Sequence, residues 1–355
     1  MDPRIEAYAR VLVDCIKPEP GWQVLVRSQP LARPLVEEVS RELGRRGVRA
    51  LVRLGFDSVG GVFVREAPIE ILGELSPIEI NEVESANSYM AIVAPANTRE
   101  GSDVPAERTG PRQQAMRRHH EPYLRDEKPW VGCYYPTAAA AQDAGMSQRA
   151  FADFLYGTVL VDWGALGRTM EGIAEHFDRA GTVRIVGPDT DLTFSIEGRQ
   201  GKVDALGANM PGGEIFYSPV EDSAEGVISY SEYPACYLGH EVTGVRFRFE
   251  GGVIVEASAT TDEEFLIGTL DTDEGARRLG EFGIGCNPGI QRHMKNTLFD
   301  EKIEGTIHLA IGTGFPQIGG LNRSAVHWDM VKELRKGSRI ELDGKVVQEN
   351  GAWQL

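Results

Sequence analysis

The sequence is poor in cysteine and has no C-x-x-C pair. Its four cysteines, Cys15, Cys133, Cys236 and Cys286, are scattered along 355 residues, which argues against both a disulfide framework and a thiolate zinc site. Long hydrophobic runs are also missing. The nearly apolar stretch at 89–96 falls far short of the roughly 20 residues that cross a bilayer. The N-terminus carries Asp2, Glu6 and Asp14 where a secretory signal needs a basic segment followed by uninterrupted apolar residues, so a cytoplasmic protein is expected. Positive charge is in deficit: 37 Lys and Arg against 53 Asp and Glu give a net charge of −16. That disfavours a protein that grips nucleic acid or an anionic membrane, since both need a basic footprint.

Several catalytic motifs are absent as well. There is no HExxH zinc helix, no GxSxG nucleophile elbow and no complete EF-hand loop. Two Gly-rich strings, GIGCNPG (283–289) and GTGFPQIGG (312–320), lack the spacing of a dinucleotide fingerprint and the Lys-Ser/Thr of a P-loop. Their glycines read as turn residues that supply positive φ or close approach. Cys286 reads as structural.

What remains is an ordinary globular composition, 41% hydrophobic and 25% charged, in a chain long enough for two domains. In the first half, a helix at 3–17 is followed by a strand at 22–28, a helix at 31–46, and strands at 48–54 and 88–97. Then come a polar helix at 110–125, a strand at 130–136 and two helices within 147–180. Alternation of this kind predicts a mostly parallel sheet with helices on it. From about 181 the texture becomes short alternating β segments separated by Gly, Pro and Asp, which predicts an antiparallel β-rich domain. Helices are expected at 272–280 and near 290–298, and a tail hairpin turns at Asp343-Gly344. The expected class is α/β, α+β overall: an N-terminal α/β domain at 1–180 and a C-terminal β-rich metal-binding domain at 181–355.

Among the seven histidines, His119 and His120 lie in a charged stretch and read as a solvated helix end; His176 and His293 read as surface. His308 sits in the apolar run GTIHLAIG, where an ionisable ring needs a partner. His327 stands two residues before Asp329, so on an extended segment imidazole and carboxylate share a face. Glu214, after the Pro-Gly-Gly turn of NMPGGEIF, and Glu281, in LGEFGIGCNP, are carboxylates set in turn-and-core sequence rather than in a charge run. Burying them is costly unless they are paired or bound to metal. Two Glu, two His and one Asp suit Zn, Mn, Co or Fe, and such a set can hold two ions close enough to clamp a hydroxide and polarise a carbonyl.

The blocks MPGGE (210–214), LGEFGIGCNP (279–288), LFDEKIEGTIHLAIG (298–312) and NRSAVHWDM (322–330) resemble, in family order, those of the M29 metallo-aminopeptidases; YPTAAAAQDAGMSQRAF (135–151) adds a weaker upstream match. The resemblance implies two divalent ions (Zn, Co or Mn) bound by Glu214, Glu281, His308, His327 and Asp329, with Glu214 or Glu281 as general base. It also implies a two-domain homodimer, and the substrate expected is a peptide or small molecule; the acidic composition and the shortness of the apolar runs, not the resemblance, argue against nucleic acid or membrane as partner. One departure is Phe315, where the family usually has a tyrosine whose hydroxyl contacts the reacting centre; losing one such donor can cost about 10²–10³ in rate. The segment between His308 and His327 is also shorter than in the usual peptidase. Short relatives include ring-cleaving 2,5-dihydroxypyridine dioxygenases with one Fe(II), so a mononuclear oxygenase using His308 or Glu281 with His327 and Asp329 is the alternative. Retention of Glu214 and Glu281 favours the two-metal hydrolase. Another small-amide hydrolase, or a scaffold merely braced by metal, are the further readings.

Overall fold

The computed structural model describes residues 2–100, 103–124 and 127–355, apart from the side chains of Ala106, Arg117, Arg118, His120, Glu121 and Leu124. The chain divides into two compact units, one of residues 1–160 with 206–211, the other of 161–205 with 212–355. The sequence places the boundary near 180, but the helix Trp163–Asp178 goes with the second unit. Its Met170, Ile173, Ala174 and Phe177 are part of that unit's core, and the Tyr217 hydroxyl donates to its Ala174 carbonyl at 3.2 Å.

The first unit is built on a parallel sheet, in the order Arg49–Leu54, Gln23–Ser28, Ser88–Val93, Trp130–Tyr134, Asn209–Met210. The last strand comes from a return of the chain, two residues long, that sequence alone does not single out. The N-terminal helix Pro3–Ile16 starts at Asp2, whose carboxylate accepts the Arg4 N–H at 3.0 Å. Ile5, Tyr8, Leu12 and Ile16 form its buried stripe. Helices Asp57–Glu66, Ile69–Leu72 and Pro77–Ser85 fill the connection between the second and third strands; the last opens with a Ser76/Glu79 capping box.

His119 is not at a solvated helix end. The helix Ala106–Leu124 turns Ala115, His119 and Tyr123 inward at i, i+4 and i+8, and all three are buried. His119 Nε2 lies 3.1 Å from the Arg27 guanidinium. The polar composition of this helix hides a narrow inward stripe. The His120 side chain lies outside the described residues.

The second unit is a sandwich of two antiparallel sheets. Eight strands, from Val253–Ser258 at one edge to Ala352–Trp353 at the other, face a five-stranded sheet in the order His327–Glu333, Thr306–Gly312, Leu279–Gly285, Glu214–Tyr217, Lys202–Asp204. The two share one core, with the Phe194 and Phe282 ring centroids 5.1 Å apart. The tail hairpin turns at Asp343 and Gly344, both at positive φ, as an Asp-Gly turn requires. The expected α/β, α+β class therefore holds, parallel first and antiparallel later.

Two expected helices are replaced. Instead of a helix at 272–280, Glu263–Leu270 is helical, Glu274–Arg277 is a short 3₁₀ turn, and Leu279 begins a strand. That strand is paired on both sides, by the strands of His308 and Glu214, and pairing of this kind overrides local preference. Near 290–298 only Thr297–Asp300 is helical.

Candidate metal centre

Strand alternation and register decide what faces what. Across the five-stranded sheet, Glu281 pairs with Ala310 and Ala310 with Asp329; Gly283 pairs with His308, Gly312 with His327, and Gly285 with Glu214. Paired residues point to the same side and every second residue does too. All five residues singled out in the sequence therefore lie on one face, while Phe282, Ile284, Leu309 and Trp328 point into the core. Between the five stand small residues. Gly283 is no turn glycine: a Cβ there would lie 1.9 Å from His308 Cε1, so only glycine lets the imidazole lie across the neighbouring strand.

The contacts follow the same pattern. Glu281 presents one oxygen to each imidazole: Oε1 is 3.4 Å from His308 Nε2 and Oε2 is 3.2 Å from His327 Nε2. His308 Nε2 is also 3.7 Å from Glu214 Oε2, and His327 Nε2 is 3.6 Å from Asp329 Oδ1. Both rings are oriented from behind. His308 Nδ1 donates to the Glu301 carbonyl at 3.1 Å and His327 Nδ1 to the Thr313 carbonyl at 3.0 Å. Each Nε2 is thus aimed at the carboxylates, as in the backbone-oriented histidines of metal sites.

Two residues beyond the sequence-derived set belong to this cluster. Glu301, at the end of the Thr297–Asp300 helix, joins Glu214 and His308 in one group that could hold a cation; Glu281, His327 and Asp329 form the other. Lys302 is fully buried, its ammonium 3.0 Å from Glu214 Oε1 and in contact with Glu301 Oε1. Both sit in the block LFDEKIEGTIHLAIG, but no spacing rule brings them to His308. A small cleft lined by Pro234, Cys236, His293, Thr297, Asp300, Glu301, Asp329 and Val331 borders the cluster. His293 is correspondingly not a surface residue. Its side chain is 11% exposed, stacked on Tyr233, with Nε2 3.2 Å from Asp300 Oδ2. His176 is exposed, and Cys286 is buried with a weak contact to the Ile284 carbonyl.

Electrostatics show the strain of this assembly. Burial raises Glu214 to about 7, reinforced by Glu301 and opposed by Lys302. Burial also raises Glu301 and Asp329. In Glu281 burial is outweighed by hydrogen bonds from His308 and His327, which hold it down at about 2. Both imidazoles rise to about 10, burial being overcome chiefly by Glu281 for His308 and by Asp329 and Glu281 for His327. Lys302 stays above the ordinary lysine range because Glu214 and Glu301 more than offset its burial. Among the described residues, Glu214 Oε2 and Asp329 Oδ1 are buried with no hydrogen-bond partner. An orphaned buried carboxylate oxygen is costly, and one in each group, beside an oriented imidazole, fits a divalent cation in each.

The sequence pattern of the thermophilic metalloproteases, M29, matches residues 1–353. The chain belongs to the M29 family. Among similar proteins, Aminopeptidase T of Thermus aquaticus is 32% identical over 246 residues, covering 60% of each chain. Aminopeptidase AmpS of Bacillus subtilis is 33% identical over 196 residues, covering 46% of this chain and 47% of that protein. The alignments thus span about half to three-fifths of the length of these two relatives. Aminopeptidase 2 of Geobacillus stearothermophilus is 24% identical over 353 residues, 89% of this chain and 84% of the other. The solved structure of wild-type AmpT from Thermus thermophilus superposes with a TM-score of 0.84 over 99% of both chains at 24% identity, which establishes a shared fold. As a member of a metalloprotease family, this M29 chain is expected to depend on a divalent metal.

Proposed function

We propose that the chain is a metal-dependent aminopeptidase, with two divalent ions (Zn, Co or Mn) held by Glu214, Glu281, His308, His327 and Asp329. The observation that carries this reading is Glu281, a buried carboxylate with one oxygen on each of two oriented imidazoles, each flanked by a further carboxylate. A single-ion facial set would leave the Glu214 side of this arrangement without a purpose. The names of the relatives supply the exopeptidase part of the proposal. Ions bound here would supply Lewis acidity, acidifying a water and polarising a carbonyl.

The protein's own residues do the rest. Glu281, with both oxygens engaged, spaces the two groups and is unsuited to carry a proton. Glu301 lies outside the five-residue set yet within the same group as His308; its carboxylate, held in place by Lys302, is the proton carrier we assign, in place of Glu214 or Glu281. The Phe315 ring stands edge-on to His327, with centroids 5.3 Å apart, and walls the site. Nothing in the comparisons favours a ring-opening oxygenase. The proposal includes a homodimer in the cytoplasm, in line with the family resemblance; light scattering on the purified protein tests the dimer.

The test pairs metal analysis with activity. Protein purified anaerobically without chelators should carry two Zn, Co or Mn per chain at saturation and release N-terminal residues from short peptides. Glu281→Gln should lose at least one ion and about a thousandfold or more in kcat/KM, a buried carboxylate that serves both groups being removed. One iron per chain with no second site filled on titration would overturn the two-ion reading.

A further inference from the structure

We propose that the first unit carries a second small-molecule site: a crevice at the carboxyl ends of its parallel strands that takes a small anion with an apolar or aromatic body. The crevice is lined wholly by residues of that unit and does not rest on the metal reading. Topology opens it. From the central strand Gln23–Ser28 the chain crosses to Arg49–Leu54 on one side, and from there to Ser88–Val93 on the other. Connections that reverse direction in this way part at the carboxyl ends of the strands, where open parallel sheets take their ligands. The cavity left here is about 460 Å³, within the range of small-molecule sites. Position alone names no ligand; the side chains do.

Arg27 and Arg53 are paired in register on adjacent strands, so both side chains stand on one face of the sheet. One carboxylate serves both. Arg53 Nε donates to Glu82 Oε1 at 2.6 Å, while Arg27 Nη2 is 3.5 Å from Glu82 Oε2, at the limit of a hydrogen bond. Arg27 Nη2 also donates to His119 Nε2 at 3.1 Å. The Nε and Nη1 groups of Arg27 and the Nη2 group of Arg53 have no partner among the described residues. Gln29 adds a donor: its Oε1 accepts the Ala94 N–H at 2.7 Å, which leaves its amide NH₂ without a partner. The other carboxylate of the lining, Asp57, accepts the Ala96 N–H at 2.8 Å and opens the helix Asp57–Glu66, whose positive end offsets it. The formal charges of the lining thus balance, but its hydrogen bonds do not, because one Glu82 cannot engage two guanidinium forks. A carboxylate or phosphate head is what such forks match. Beside them Leu54 and Phe56 line the same crevice and are 51% and 63% exposed, with Tyr89 in its wall. These apolar surfaces suit the body of a ligand whose head lies on the arginines. Glu82, on the helix Pro77–Ser85, stands where that head would bind and competes with it.

Phenyl phosphate and benzoate, titrated calorimetrically into the full chain, test the site, with inorganic phosphate and acetate as probes that lack the body. At least one of the first two should bind saturably with a dissociation constant below about 1 mM, and more tightly than its bodiless counterpart; the tighter of the two identifies the head as phosphate or carboxylate. Arg27→Met and Arg53→Met should each weaken binding by about tenfold or more, as loss of a charge-assisted contact does. Glu82→Gln should tighten it, because the competing charge is gone. His308→Ala should leave it unchanged, which separates this site from anion binding at the metal centre. Absence of saturable binding, loss of binding in His308→Ala with none in Arg53→Met, weaker binding in Glu82→Gln, or equal affinity with and without the body would each overturn the inference. Should Arg27→Met not fold, Arg53→Met, whose side chain is 53% exposed, and Glu82→Gln still decide it. Failure of the two-ion reading would move none of these results.

Discussion

At the scale of single residues, the site depends on what is small as much as on what is charged. Gly283 makes room for His308, and a methyl group there would overlap the ring. Gly283→Ala should destabilise the protein by about 1–3 kcal/mol, as overpacking does, and should weaken metal binding at the His308 group; thermal melting and metal titration read both. Phe315 is a second such residue. Its N–H donates to Ser218 Oγ at 3.0 Å, which fixes the backbone, and its ring lies against His327. Phe315→Tyr should raise kcat about tenfold or more with little change in KM, by adding the missing hydroxyl donor. No gain would mean that this chain does not use a donor there. The sequence exposes Phe315 by its place after His308, but it gives no cue for Gly283, whose importance lies in a ring on the next strand.

At the scale of elements, three adjacent strands, Leu279–Gly285, Thr306–Gly312 and His327–Glu333, bring together groups that titrate as a set. In the metal-free protein His308 and His327 are raised to about 10, so the stability they contribute is complete below about 6.5 and disappears as pH rises through 10. Glu214, raised to about 7, adds stability that is lost as pH rises from about 4.5 through 7. Glu281, held at about 2, acts in the opposite sense: its contribution is present above about 4.5 and lost as pH falls toward 2. The metal-free protein should therefore melt at progressively lower temperature from neutral pH to pH 10. Over the same interval metal affinity should rise, because cations displace the protons on the imidazoles. Calorimetric scans with and without metal check both slopes; a metal-free protein that gains stability toward pH 10 would contradict the contacts described.

The individual elements were legible in the sequence to different degrees. His308 and the His327/Asp329 pair lie on strands whose apolar alternation is plain, so their shared face could be read directly. Glu281 was harder. Its strand is rich in glycine and was expected partly as helix, since local preference does not record that it has a partner on either side.

At the scale of the whole molecule, binding a ligand that favours the folded state raises its stability by mass action. Removing metal with a chelator should abolish activity and lower the melting temperature by several degrees, and adding back Zn, Co or Mn should restore both. Failure to restore either with any divalent ion would count against a metal centre held by these residues. The described residues include no helix long and apolar enough to cross a membrane.

The sequence by itself determined most of the strands, the change from parallel to antiparallel texture and the five residues that converge. Hydrophobic period and costly buried charge are properties of a segment and can be read one segment at a time. The tertiary structure alone decided that Glu301 and Lys302 join them, that His119 is buried and His293 partly so, and that the helix Trp163–Asp178 belongs with the second unit. Each of these depends on register and on packing between segments far apart in the chain, and a period of two fixes the face of a strand without naming its neighbours.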